Sequence, residues 1–134
     1  MNTPVSFPIA RLLKEKGFDL PTLIGYISEG IPYQDEPFEV NYNAEPYSDS
    51  VYSAPTISEV VMWIYKKYGI WIKVECDVYG KEWYSKLSVA SKELWEDLDK
   101  RHAITVAHHN FRNITNSPEE AYEAAIEYTL KNLI

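Results

Sequence analysis

Residues 70–90, IWIKVECDVYGKEWYSKLSVA, decide the fold, because the spacing of apolar residues changes here from a helical period to a period of two. This alternation is typical of a strand with one buried face. Gly80-Lys81 suits a two-residue type II′ turn, after which a second strand, from about Glu82 to Ala90, pairs with the first. The inward-facing positions predicted for the first strand are Ile70, Ile72, Val74, Cys76 and Val78.

Helical patterns flank this hairpin. Residues 54–69, APTISEVVMWIYKKYG, begin with a capping box and end at a glycine. Residues 116–134, NSPEEAYEAAIEYTLKNLI, place a serine at the N-cap and a proline at the first helical position. A shorter helix is predicted in SFPIARLLKEKGF, residues 6–18. The pattern predicts an α+β fold with a small, mainly antiparallel sheet, two or three helices packed on it and the C-terminal helix in the core.

Other stretches are less regular. TLIGYIS (22–28) and FEVNYN (38–43) are interpreted as short strands, the second at a sheet edge because prolines surround it. SKELWEDLDKRH (91–102) is either a charged helix or a long loop before a strand at AITVAHHNF (103–111). The length of 134 residues predicts a single domain over residues 1–134.

Acidic charge is concentrated in one part of the chain. The net charge is −7, and residues 17–65 contain eight acidic residues and no basic ones. Within them, residues 30–52 hold five carboxylates and four tyrosines, and we call this stretch the acidic segment. Direct nucleic-acid binding is not expected of such a chain, because contact with phosphates needs clustered Lys and Arg.

The acidic segment is either a solvated loop that covers the core or a surface that binds a basic protein. In the second case, tyrosines supply rigid contact area and carboxylates steer the encounter. The residues predicted to bind a partner are Tyr33, Asp35, Glu36, Glu39, Tyr42 and Tyr47.

No sequence motif indicates catalysis. Phosphate-binding glycine loops, nucleophile elbows and paired cysteines are missing from the sequence. The spacing of His102, His108 and His109 matches no metal-binding pattern, and Cys76 is interpreted as a small apolar residue in the sheet core. We therefore expect no catalytic residue, no cofactor and no metal.

The N-terminus lacks the pattern of a signal peptide, and the apolar runs are too short to span a membrane. A cytoplasmic protein without a membrane partner is expected. The oligomeric state is left open.

The segments IARLLKEKGFD, Y…SAPT, KKYGI and NSPEEAYEAAIEYTLKNLI together resemble a family of small uncharacterised proteins from phages and integrated elements of Bacteroides-type gut bacteria. The resemblance covers the ends and the middle of the chain but not residues 28–52. It implies an accessory protein of a mobile element and assigns no residue a role. The favoured function is protein–protein interaction through the acidic segment. The alternatives are an acidic nucleic-acid mimic that inhibits a host defence protein, and a small hydrolase with an unrecognised site.

Overall fold

The computed structural model describes residues 3–47, 49–110 and 115–134, and for residues 108–110 it describes the backbone alone. The chain divides into two units, Asn2–Ile57 and Ser58–Ile134, which we call the N-terminal unit and the C-terminal unit. The single-domain organisation stays a prediction.

The C-terminal unit contains the predicted hairpin. Helix α2 (Ile57–Tyr68) leads into strand β4 (Ile70–Cys76), which pairs antiparallel with strand β5 (Trp83–Val89). Ile72 and Leu87 lie opposite each other in the register, and both are buried. The helix and the hairpin that the period change predicts are therefore confirmed.

The two-residue turn at Gly80-Lys81 is wrong, because six residues, 77–82, connect the strands. Oδ1 of Asp77 accepts hydrogen bonds from the backbone N–H of Lys81 (2.8 Å) and of Glu82 (3.3 Å), which holds the wider loop. The sequence pattern predicts that Cys76 and Val78 face the core, but both are exposed, because β4 ends at Cys76.

Of the two alternatives left open for residues 91–111, the structure shows the helical one over the described part, with helices at residues 92–96 and 98–110; residue 111 lies outside the described residues. Two polar caps explain the helices. Ser91 Oγ accepts from the N–H of Leu94 and begins α3 (Lys92–Glu96), and Asp97 Oδ1 accepts from the N–H of Lys100 at the start of α4 (Leu98–Asn110). Both caps lie in the charged stretch that the sequence left open.

Helix α5 (Pro118–Asn132) packs on β4 and β5. Ser117 Oγ accepts from the N–H of Glu120 at 3.2 Å, as the N-cap pattern predicts. One face of the helix is buried, and it consists of Ala121, Ala125, Ile126, Thr129 and Leu130. The prediction of a C-terminal helix packed on the sheet is confirmed.

The N-terminal unit combines helix α1 (Phe7–Glu15) with three short strands, β1 (Gly25–Ile27), β2 (Ile31–Tyr33) and β3 (Tyr52–Ser53). The sheet is antiparallel in the order β2-β1-β3, and α1 packs on β3. The chain leaves α1 through Gly17, whose φ of 84° favours glycine. The N–H of buried Phe18 then donates a hydrogen bond to Leu13 O at the end of the helix.

The strand predicted over residues 38–43 is wrong, because this stretch forms only a bridge between Val40 and Thr22. Two backbone hydrogen bonds of 2.8 and 2.9 Å join these residues. The chain then turns, since Asn41 Oδ1 accepts from the N–H of Asn43 at 3.0 Å.

The α+β class is confirmed. The described residues contain five helices and two antiparallel sheets, of three and two strands. Two of the helices, α3 and α4, lie in the stretch for which the sequence left two alternatives open.

We expect Leu130→Ala to lower the free energy of unfolding by about 2–5 kcal/mol, because this side chain is fully buried on the face of α5 that packs on the hairpin. Urea denaturation followed by circular dichroism measures the loss. The control is Lys131→Ala, one residue further along, which removes only an exposed ion pair with Glu127 and costs less than about 1 kcal/mol. Equal stability of L130A and K131A would contradict the packing of α5.

Candidate functional site

The acidic segment, residues 30–52, runs between two strands of the N-terminal sheet. Its start includes β2 and its last residue, Tyr52, begins β3, and both strands pair with β1 in the middle of the sheet. The sheet therefore fixes both ends of the segment, and turns occupy most of the chain between them.

Tyr42 lies at the centre of the acidic segment and is fully buried. Its hydroxyl accepts from the N–H of Asp35 at 3.1 Å and donates to Leu23 O at 3.4 Å. The rings of Tyr33 and Tyr47 pack against it, with centroid distances of 5.8 and 4.9 Å. Tyr42 therefore supports the surface from beneath, and in this arrangement its ring is not exposed to a partner.

Asn43 ties the segment to its surroundings. Its Nδ2 donates to Phe18 O, and its Oδ1 accepts from the N–H of Ser53, both at 2.9 Å. A polar side chain that satisfies two backbone groups in this way fixes the path of an irregular loop. Neither charge nor apolar spacing distinguishes Asn43 in the sequence, although Asn in the stretch NYN is a signal for a turn.

The Asp35 carboxylate accepts hydrogen bonds from two tyrosines. Tyr47 donates to Oδ2 at 2.9 Å, and Tyr33 donates to Oδ1 at 3.3 Å. Partial burial, together with the charge of Asp35, raises the pKa of Tyr33, and the hydrogen bond to Asp35 is the main cause that raises the pKa of Tyr47 to about 12. The structure thus brings four of the six predicted residues together, with Tyr33 and Tyr47 bonded to Asp35 at the surface and Tyr42 below them. We call Tyr33, Asp35 and Tyr47 the tyrosine–aspartate cluster.

Glu36 and Glu39 are not hydrogen-bonded to this cluster. Glu39 is exposed and Glu36 is half-buried. Among the described residues, no basic side chain lies within ion-pair distance of Asp35, Glu36 or Glu39. Their negative charge is therefore uncompensated and faces solvent.

Lys14 contacts the acidic segment through backbone oxygens rather than through its carboxylates. Lys14 Nζ donates to the backbone oxygens of Val51 at 2.7 Å and Asp49 at 3.4 Å. The same ammonium lies 4.8 Å from the ring centroid of Tyr52. This contact anchors the end of the segment through backbone acceptors and an aromatic ring.

A second polar cluster lies on the hairpin of the C-terminal unit. Glu75 is bound by Lys73 (2.8 Å), Lys86 (3.1 Å) and the hydroxyl of Tyr84 (3.1 Å). Hydrogen bonds from these lysines and the tyrosine lower the pKa of Glu75 to about 2. The alternation of β4 already placed Lys73 and Glu75 on one face. Their partners on β5, Lys86 and Tyr84, follow from the strand register. The predicted two-residue turn implied a different register.

The residues considered for catalysis or metal binding are not assembled. Over residues 3–47, 49–110 and 115–134, no three His, Cys, Asp or Glu residues come together in a way that would hold a metal ion. His102 is exposed on α4, and the side chains of His108 and His109 lie outside the described residues. Cys76 is exposed at the end of β4, so its interpretation as a core residue is wrong, because the strand stops there.

Comparison with family models, with curated proteins and with solved structures gives no match for this chain. In the part of the chain that the structure describes, no helix has the length and apolar character needed to cross a membrane.

We expect the tyrosines of the cluster to ionise at a higher pH than an ordinary tyrosine, because their pKa values are raised. The folded-state pKa of Tyr47 is raised from 10.0 to about 12, so the stability that its hydrogen bond contributes is present below pH 10 and is lost as the pH rises through 12. Asp35→Asn removes the charge that opposes ionisation, and the pKa of Tyr47 should then fall towards 10.0. NMR of ¹³Cζ-labelled tyrosine between pH 8 and 11.5, assigned with Y33F and Y47F, measures this. A Tyr47 resonance that titrates identically in the wild type and in D35N would contradict the hydrogen bond.

We expect Glu75 to stabilise the hairpin above its ordinary pKa. Because its folded-state pKa is lowered from 4.5 to about 2, this stabilisation is present above pH 4.5 and is lost as the pH falls through 2. Glu75→Gln should therefore melt below the wild type at pH 7, and the difference should shrink towards pH 2. The control is Glu82→Gln in the hairpin loop, whose melting temperature should follow that of the wild type. A gap between E75Q and the wild type that is the same at pH 7 and pH 2 would show that the charge of Glu75 is irrelevant.

Proposed function

We propose that the protein is a non-enzymatic accessory protein of a phage or integrated mobile element, and that it binds a basic protein through the acidic segment. The genetic setting follows only from the resemblance described for its sequence. The mode of action is supported by one observation above all. The carboxylates of the acidic segment form no ion pair with a basic side chain of the described residues.

Uncompensated carboxylates oppose folding by mutual repulsion, so a segment that only covered the core would gain from neutral residues in their place. A basic partner removes this repulsion when it binds. Carboxylates at the rim of an interface chiefly accelerate association, whereas tyrosines near its centre contribute most of the binding energy. Half-buried Tyr33 and Tyr47 are suited to the second role and exposed Glu39 to the first.

We expect the variant Glu36→Gln, Glu39→Gln, Glu45→Gln to fold normally and to capture fewer basic proteins from a bacterial lysate than the wild type. The loss should be largest at low salt, because the Debye length is about 30 Å at 0.01 M and about 8 Å at 0.15 M ionic strength. Captured proteins are identified and quantified by mass spectrometry at both salt concentrations.

The matched control is Glu82→Gln, Glu93→Gln, Asp99→Asn, which changes the net charge by the same amount on exposed positions of the C-terminal unit. Its capture should equal that of the wild type. If both triple variants lose the same proteins equally, only net charge matters and the proposal fails. Captured proteins that bind nucleic acid and are released by added DNA would instead favour the nucleic-acid mimic.

A further inference from the structure

We propose that the tyrosine–aspartate cluster is the binding site for one arginine side chain of the basic partner. This inference rests on the proposed function, because it identifies which group of a basic partner the acidic segment recognises. At two other places the same chain holds a cation against a tyrosine and oxygen acceptors.

Glu75 shows the complete form of such a cluster. Its carboxylate accepts from the hydroxyl of Tyr84 and binds the ammonium groups of Lys73 and Lys86 at 2.8 and 3.1 Å. Lys86 also lies 5.8 Å from the ring centroid of Tyr84. A carboxylate, a tyrosine and two cations therefore occur together, with one cation from the same strand and one from the neighbouring strand.

Lys14 shows the same preference within the N-terminal unit. Its ammonium lies over the ring of Tyr52 and donates to two backbone oxygens of the acidic segment. At this end of the segment, an aromatic face and oxygen acceptors hold a cation from the chain itself.

The tyrosine–aspartate cluster has the same kinds of groups without the cation. Asp35 accepts from two tyrosine hydroxyls, one on each carboxylate oxygen, yet no basic group of the described residues lies within ion-pair distance of it. The rings of Tyr33 and Tyr47 are each braced against buried Tyr42, so the cluster is held in place before a ligand arrives. A preorganised site of this kind loses little conformational entropy on binding.

The geometry favours arginine over lysine. Tyr33 and Tyr47 each bond one oxygen of Asp35, which fixes the orientation of the carboxylate plane, and each oxygen retains capacity for a further hydrogen bond. A planar guanidinium donates to both oxygens of a carboxylate at once and stacks on aromatic rings, whereas an ammonium is a more strongly hydrated point charge. The two tyrosines that bond the carboxylate also bring aromatic rings to the same site, and arginine stacks on such rings.

The test is an NMR titration of the ¹⁵N-labelled full chain with three matched probes: N-acetyl-arginine amide, N-acetyl-lysine amide and N-acetyl-norleucine amide. The backbone N–H of Asp35 reports on the site, because it is hydrogen-bonded to the Tyr42 hydroxyl. We expect saturable shifts centred on Asp35 with the arginine probe, weaker binding of the lysine probe and none of the norleucine probe.

Asp35→Asn should weaken the binding of the arginine probe by about ten- to hundredfold, because it removes the charge-assisted hydrogen bonds between the guanidinium and the carboxylate. Tyr47→Leu, which removes the ring but leaves the carboxylate, should also weaken it, while Glu82→Gln should not. If D35N loses the amide spectrum of the folded N-terminal unit, Y47L and the order of the three probes on the wild type still decide the question.

Equal affinity for the arginine and lysine probes overturns the proposal, as do arginine shifts spread over the whole acidic segment. The outcome is separable from that of the lysate experiment. Suppose that the triple glutamine variant loses capture but no arginine site is found at Asp35. The proposed binding of a basic partner would then stand, and only the arginine site would be refuted.

Discussion

The hydroxyl of buried Tyr42 is the group on which the N-terminal unit depends. Burying a tyrosine hydroxyl is unfavourable unless it is hydrogen-bonded, and here it bonds Asp35 on one side and Leu23, next to β1, on the other. The ring lies against β1 at Gly25, where an added Cβ would come within 3.1 Å of it and within 2.8 Å of Tyr52 O. The absence of a side chain at Gly25 in the central strand therefore leaves room for the ring of Tyr42, and the ring fixes the position of the acidic segment.

The elements that the sequence predicts well are those whose signals are local. Caps, a terminal glycine and apolar spacing at three and four residues define α2 and α5, and alternation defines β4 and β5. The errors arise where a local pattern runs past the end of an element. Alternation continues from β4 to Val78, but Asp77 binds the backbone across the loop and ends the pairing, which leaves Cys76 and Val78 in solvent. In α4, the alternation of Ile104 and Val106 left a strand open as one of two alternatives, although the caps Ser91 and Asp97 specify helices.

The candidate site is predictable in composition but not in arrangement. Charge distribution alone selects the stretch that contains Tyr33, Asp35 and Tyr47. It does not distinguish these residues from Tyr42, because irregular chain has no periodicity that separates buried from exposed tyrosines. That distinction depends on contacts between distant residues, such as the bonds from Asn43 to Phe18 and Ser53. Such contacts leave no pattern in a single sequence beyond the turn preference of asparagine.

The same contacts separate the folding of the acidic segment from its charge. The segment is held by Tyr42, by Asn43 and by Lys14, and each of these bonds backbone groups rather than the carboxylates of Glu36, Glu39 or Glu45. Those three charges therefore contribute repulsion without taking part in the contacts that determine the path of the chain. Asp35 differs, because its carboxylate is built into the surface through two tyrosines while it still lacks a cation among the described residues. In the proposed function, the diffuse charge of this surface acts on a basic partner at a distance, whereas the one oriented carboxylate acts only on contact.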